Sequence, residues 1–399
     1  MTMGERGFDG VICFGGVDWW YHNRGHYDIQ LMRELSARMP VLYVNSIGLR
    51  VPNVREGAMF RRRIARKLRS LRHGFVRVRP GFSVLTGFAF PGRVGAPARQ
   101  WVLPLQVRHA ARSMGIGRPL IWVAAPTAAD VVGAAAAGVV YQRSDRYERY
   151  DGVDRARIAA LDAGLKARAD VTLFCSTLLY EAEAASCRRA AFVDHGVDFD
   201  AFAAAGDGCV DEPADMRDLP RPRVGFVGAI EPHTFDPELL VQLARALPDA
   251  HLPLVGDCTL PDGWCDAPNV TLLGRRPYEQ VAAYMAASDV LIMPWNDRSW
   301  IEACNPVKLK EYLAVGRPVV SRPFGELERY AGHVSVAGSA PDFATCVRRA
   351  IAEPGDPESR RERVRGETWS AKAEAVLEAL AGEGVVPALN ATGRPPPRR

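Results

Sequence analysis

The sequence predicts an α/β protein made of two successive parallel-sheet domains. Short apolar runs alternate with longer amphipathic stretches along most of the chain, the pattern of strands and helices that build a parallel sheet covered on both faces. The alternation is interrupted over residues 203–221, AAAGDGCVDEPADMRDLPR, a stretch of small, acidic and proline residues that reads as a linker, and it resumes at Pro222. At 399 residues the chain can bury two cores.

Taken in order, Gly10 to Phe14 is a buried strand, Tyr27 or Asp28 opens a helix lined by Ile29, Met32 and Leu35, and Val41 to Asn45 is the next strand. This is a β-loop-α-β unit without the G-x-G-x-x-G spacing of a dinucleotide site. Its loop gathers Gly16, Asp18, Trp19, Trp20, His22, Arg24 and His26. Flat aromatic faces suit a sugar ring, and the polar groups could bond hydroxyls or phosphate; the alternative is a loop folded down by its own tryptophans. Strands follow at 120–124, 139–143 and 171–175, and helices near 100–113, 127–136, 154–167 and 177–185. Asp145 closes one strand end, where a turn aspartate is the plainer reading.

The second half repeats the scheme, with strands at 224–227, 252–256, 270–274 and 290–293 and helices at 236–247 and 278–287. Residues 288–321, SDVLIMPWNDRSWIEACNPVKLKEYLAVGRPVVS, are the most informative stretch. A buried strand ends at Pro294. A helix over Pro306 to Val315 is expected after a loop, with Asn305 as N-cap, Pro306 at N1, Gly316 at the left-handed C′ position and Pro318 blocking continuation. The helix starts where a buried strand ends, the place where α/β sheets bind ligands and free N–H groups attract anions. Lys308 and Glu311 share one face: a cation in the first turn suits a phosphate, and a carboxylate one turn deeper suits vicinal hydroxyls such as those of a ribose. The plainer alternative is a helix with an ordinary Lys–Glu pair.

The run N-P-x-K-L-x-E-Y-L-A-x-G-x-P-V-V over residues 305–320 resembles the donor-binding signature of GT-B glycosyltransferases, especially the retaining bacterial group called family four. The form H-G-V-D-x-x-x-F at 195–202 is similar to the end of the N-terminal domain in the same group. The resemblance implies a GT-B fold, two Rossmann-like domains facing across a cleft: an acceptor domain at 1–200, a linker at 201–221, a nucleotide-sugar donor domain at 222–369, a helix at 370–385 crossing back, and a disordered tail at 386–399. It implies that Glu311 is the ribose-contacting second glutamate of an E-x7-E motif. The first glutamate falls at position 303, which here is Ala303, with Glu302 one place early. Candidate catalytic residues are Glu302, His22 and His26. Gly228, Arg275, Asn305, Pro306, Lys308 and Glu311 are expected to bind the donor, and Gly16, Asp18, Trp19, Arg24 and Asp145 the acceptor. Relatives often carry Arg and Lys after the first donor-domain strand; here Gly228-Ala229-Ile230 stands there, which shifts phosphate binding toward Lys308, helix N-termini and the Gly228 N–H.

The implied activity moves a sugar from a nucleoside diphosphate sugar to a hydroxyl acceptor, with no cofactor and no metal; the D-x-D at 198–200 lies inside the hinge motif. A nucleotide-sugar epimerase of the same fold, or a weakly catalytic sugar-nucleotide-binding subunit, are the rival readings. Eight scattered cysteines without C-x-x-C pairs point to neither a disulfide framework nor a zinc site and fit a reducing cytoplasm. No signal peptide or spanning segment is expected. Net charge is +5, yet residues 59–72, MFRRRIARKLRSLR, carry seven cations flanking a narrow stripe of Phe60, Ile64, Leu68 and Leu71. That segment is expected to lie on an anionic membrane, placing the protein at the inner face of the cell membrane near a glycan or lipid-linked acceptor, and nothing suggests a nucleic-acid partner.

Overall fold

The computed structural model describes residues 6–21, 25–49, 65, 68–88, 98–131, 136–150, 152–297 and 301–388. His22, Arg24 and most of the basic 59–72 segment lie outside the described residues. The chain forms two compact units: Met1–Asp194 with Lys372–Arg399, and His195–Ala371.

In the first unit, after a short strand β1 (Arg6–Phe8), an eight-stranded sheet is built from β2 (Gly10–Phe14), β3 (Val41–Val44), β4 (Phe75–Arg79), β5 (Phe82–Leu85), β6 (Pro119–Val123), β7 (Gly138–Arg143), β8 (Val171–Phe174) and β9 (Ala190–Phe192). The strand order is β4-β5-β3-β2-β6-β7-β8-β9, and every pair is parallel except β4 with β5. Strands β2, β3 and β8 are buried along their whole length, which is why they read as continuous apolar runs with no alternation.

The second unit holds β10 (Val224–Val227), β11 (Leu252–Val255), β12 (Val270–Gly274), β13 (Val290–Met293), β14 (Val319–Ser321) and β15 (Ser335–Val336), all parallel, in the order β12-β11-β10-β13-β14-β15. The first strand thus lies between the second and the fourth. Chain direction reverses across the sheet at β10 and β13, and the crevice beyond their carboxyl ends is where sheets of this order bind ligands. The Pro237–Ala246 helix shows how the sequence builds these layers: the Asp236 side chain accepts the N–H of Leu239 at 2.9 Å, proline occupies the first turn, and Leu239, Leu240, Leu243 and Ala244 face the core. Each buried leucine contributes about 1.5–3 kcal/mol.

Two expectations are corrected. Residues 203–221 are not merely a linker: the Phe199–Gly206 helix and the Ala214–Arg217 turn pack into the second unit, with Met216 fully buried. Gly206 permits this, because a Cβ there would lie 2.0 Å from the Val315 carbonyl oxygen at the end of the Val307–Val315 helix. Val386 and Pro387, expected in a disordered tail, belong instead to β16 (Val385–Pro387), which pairs in parallel with β1, Arg6 opposite Val385. The Trp369–Ala381 helix starts in the second unit and from Lys372 onward belongs to the first.

Candidate functional site

The helix after β13 spans Val307–Val315, one residue shorter than expected, because Pro306 is its N-cap with extended backbone, and a proline side chain offers no capping hydrogen bond. Asn305 is buried in the preceding loop and is not the cap. Gly316 adopts φ +83°, the left-handed termination expected of it. Tyr312 pins the helix to the end of β10, accepting the Val227 N–H at 2.9 Å and donating to the Val227 carbonyl at 3.3 Å. The two lysines of the run divide their work by helical phase. Lys310 is buried, donating to Glu367 at 2.9 Å and to the His195 carbonyl, and so belongs to the scaffold.

Lys308 points to the switch crevice. Its ammonium lies 4.7 Å from the Phe226 ring centroid and 5.9 Å from that of Trp295. It packs against the end of β10 so closely that a Cβ on Gly228 would approach its Nζ to 2.2 Å. It makes no hydrogen bond or ion pair among the described residues. Burial brings this ammonium down to about 8, opposed by the charges of Cys304, Glu311 and Glu231. Glu311, one turn deeper, is 4% exposed and accepts a hydrogen bond from the Tyr278 hydroxyl at 2.9 Å. Burial pushes its carboxyl up to about 7, against the pull of Tyr278 and Lys308 and with a contribution from Asp198. A cation without an acceptor beside a desolvated carboxylate costs stability in the free protein, the arrangement expected where a ligand supplies the missing partners.

Stability should follow these shifts. The folded Glu311 carboxyl holds its proton up to about pH 7 while the unfolded one releases it near 4.5, so the unit should lose stability as pH rises through that window. Lys308, released early in the folded state, should give stability back from about pH 8 toward 10.5. Urea unfolding across this range should show the lower limb, and Glu311→Gln should flatten it.

Gly228 acts by its lack of a side chain. Its N–H already donates to the Val255 carbonyl at 2.9 Å, so it is not available to phosphate as expected. Gly228→Ala should displace the Lys308 head and weaken nucleoside diphosphate binding about tenfold, with a moderate loss of stability because φ at this position is +159°. Gly256→Ala, whose Cβ would lie 1.8 Å from the Gly228 carbonyl oxygen, meets backbone that cannot give and should destabilise by about 1–3 kcal/mol. Melting temperature and ligand titration separate the two.

Arg275, exposed at the end of β12, pairs loosely with Asp257 at 3.7 Å, whereas Arg276 is bound to Asp215 and Tyr284. Glu302 is exposed in the Ile301–Ala303 turn, whereas Ala303, at the motif position itself, is fully buried. A one-residue step in a 3-10 turn rotates a side chain by about 120°, which is why neighbouring residues 302 and 303 differ so much in exposure. Sequence reading missed Tyr278, the aromatic walls Phe226 and Trp295, and Glu326, a buried carboxylate in the Gly325–Tyr330 turn that bonds Arg329 at 3.3 Å. A glycine against the Glu302 carbonyl brings that turn next to residues 301–303.

In the first unit the loop after β2 is folded down by its own side chains. Trp19 is 3% exposed against Phe82 and Tyr43, so it offers no face to an acceptor. Asp18 accepts from Ser70 at 2.8 Å and from the Trp20 N–H at 2.9 Å, and the Gly16 N–H donates to the buried Asp28 carboxylate at 2.8 Å. These three residues therefore organise the loop. His26 is exposed at the start of the Tyr27–Leu35 helix. Asp145 accepts from Tyr150 at 2.6 Å and from the Arg146 N–H at 2.9 Å, and burial raises its carboxyl above the usual range. Among the described residues no group of three or more His, Cys, Asp or Glu could hold a metal ion, and no helix is long and apolar enough to cross a membrane.

Two Rossmann-like units, the second with a cation and a buried carboxylate at its switch point, make this a GT-B fold. Residues 221–353 match the profile of a family described as Glycosyl transferases group 1. A putative teichuronic acid biosynthesis glycosyltransferase, TuaH of Bacillus subtilis (strain 168), is 29% identical over 194 residues, 45% of this chain and 47% of its own length, so the match spans about half of that relative. Sucrose-phosphate synthase from Thermosynechococcus elongatus superposes with TM-score 0.67 at 17% identity, over 94% of this chain and 98% of its own. HepE from Anabaena, solved in complex with UDP, gives 0.62 at 16%, over 94% and 99%. An alpha,alpha-trehalose-phosphate synthase from Burkholderia vietnamiensis gives 0.62 at 15%, over 94% and 99%.

Proposed function

We propose that this protein is a glycosyltransferase that takes a sugar from a nucleoside diphosphate sugar and passes it, with retention, to a hydroxyl of a surface glycan or lipid-linked acceptor. The observation that carries the reading is the half-buried Lys308 ammonium, without an acceptor among the described residues, next to the buried Glu311 carboxylate at the switch point of a parallel sheet. Lys308 and the N-terminus of its helix would take the diphosphate, and Glu311, oriented by Tyr278, would accept hydrogen bonds from the ribose hydroxyls. In the transfer the bond from the anomeric carbon to the diphosphate oxygen breaks, the acceptor oxygen bonds that carbon, and the acceptor proton leaves with the diphosphate. Lys308 stabilises the charge that develops on the leaving group, so neither a metal nor a cofactor is needed in this scheme. In the first unit, His26 is assigned to catalysis and Asp145 to the acceptor, and the basic 59–72 segment to an anionic membrane surface at the inner face of the cell membrane.

The match of residues 221–353 to a glycosyltransferase family and the TuaH relative support this reading. A second reading, a subunit that binds sugar nucleotide with weak turnover, is favoured by the exposed Glu302 and the buried Ala303. A thermal-shift screen of UDP-, GDP- and dTDP-sugars, followed by incubation of the stabilising donor with and without acceptors, tests both. A ligand at 100 times its Kd adds about 2.7 kcal/mol. No stabilisation by any sugar nucleotide would overturn the proposal. Binding without transfer across an acceptor panel would leave the second reading, and consumption of donor in the absence of acceptor would make the protein an epimerase.

A further inference from the structure

Seven of the eleven large apolar side chains that stand exposed among the described residues lie between Leu68 and Leu105. The Leu103–Ser113 helix shows why this is unusual. It buries Leu103, Val107, Ala110 and Ala111 in the first unit's core. Its opposite face should then be polar. Instead Trp101 at 72% exposure and Val102 at 43%, in the Ala98–Val102 turn that leads into it, and Leu105 at 64% in its first turn stand outward, followed by the exposed cations Arg108 and Arg112. Phe88, 53% exposed, adjoins this face through its N–H, which donates to the Gln106 side chain at 2.9 Å. The neighbouring sheet edge continues the patch, because Phe75 stands opposite Leu85 and the Thr86 N–H donates to the Gly74 carbonyl at 2.7 Å.

Charge says what covers it. Residues 57–129 contain no Asp or Glu and fourteen Lys or Arg, in a chain where about one residue in nine is acidic. A patch both apolar and free of acids suits an anionic surface with an apolar layer beneath it, which is a bilayer of anionic lipid. We propose that Trp101, Leu105 and Phe88 insert at the boundary between headgroups and acyl chains of such a bilayer, while Arg108 and Arg112 meet the headgroup phosphates. The proposal rests on the membrane part of the function above and adds a second, apolar contact to the basic 59–72 segment. Two contacts of different physics give a distinguishable result: the cationic one fades with salt and the inserted one does not.

The experiment is co-sedimentation of the full chain with vesicles of 30% phosphatidylglycerol in phosphatidylcholine and with phosphatidylcholine alone, at about 0.05 and 0.5 M salt. Trp101→Ser with Leu105→Ser should lower partitioning into the anionic vesicles about tenfold at low salt and abolish what survives at high salt. Replacement of Arg61, Arg62, Arg63 and Arg66 by Gln should instead leave a salt-resistant remainder. Circular dichroism and donor thermal shift should match the parent in both variants. Partitioning of the Trp101/Leu105 variant within twofold of the parent, equal binding to neutral vesicles, or no vesicle binding by the parent would each overturn the inference. So would a parent dimer, seen by sedimentation, that this variant converts to monomer with vesicle binding unchanged. If the parent binds vesicles in this way but no sugar nucleotide, the proposed function fails and this contact stands.

Discussion

Lys308→Ala is expected to cost nucleoside diphosphate binding about 2–4 kcal/mol, a factor of roughly 30 to 700, while affinity for the free nucleoside changes little. The asymmetry follows from position. The ammonium sits at the first helical turn against the end of β10, where it can reach phosphate and nothing deeper. The fold should survive, because the lysine makes no hydrogen bond or ion pair among the described residues and because losing its charge lets Glu311 keep a proton, which removes a buried ion. Isothermal titration with nucleoside and nucleoside diphosphate in parallel checks this; equal losses for both ligands would assign Lys308 to structure.

Glu311→Gln should move stability and binding in opposite directions. At pH 7.5 the free protein carries a buried carboxylate whose ionisation has been pushed up to about 7, a cost of about 2–3 kcal/mol. Glutamine keeps the oxygen that accepts the Tyr278 hydroxyl but carries no charge, so the unliganded melting temperature should rise by several degrees. Donor affinity should fall by about 1.5–3 kcal/mol, since two hydroxyls would donate to a neutral amide instead of a carboxylate. The pH profile of donor affinity in the parent should be bell-shaped, rising as Glu311 ionises toward about 7 and falling as Lys308 deprotonates above about 8. A variant with lower stability and unchanged donor affinity would make Glu311 a scaffold residue.

Much of this architecture was readable in local pattern. The buried strands Gly10–Phe14 and Val224–Val227 and the half-exposed strand Val270–Gly274 have the bounds their sequence suggests, and Gly316 ends its helix as a glycine in that setting should. What stayed hidden depends on partners distant in sequence. Composition made 203–221 look like a linker, yet Met216 finds a core built from residues far along the chain. The Trp19 ring could as well have faced a sugar; its burial needed Tyr43 and Phe82, which local sequence does not place beside it. Strands of two or three residues, such as Ser335–Val336, carry too little periodicity to be recognised. In the site, Lys308 and Glu311 follow from helical spacing, whereas Tyr278 reaches Glu311 from another helix and nothing near Tyr278 announces it.

The pairing of β1 with β16 orders events in time. The first unit recruits the chain from Lys372 onward, through the ion pairs of Asp194 with Lys372 and Arg38 with Glu374 as well as the Arg6–Val385 ladder. A ribosome delivers those residues only after all of His195–Ala371 has emerged. The half that is translated first must therefore wait, with one strand and one helical face unmatched, while the half translated later can close on its own. Nascent chains stalled near residue 371 should accordingly show a protease-resistant second unit and a first unit that is still cleavable.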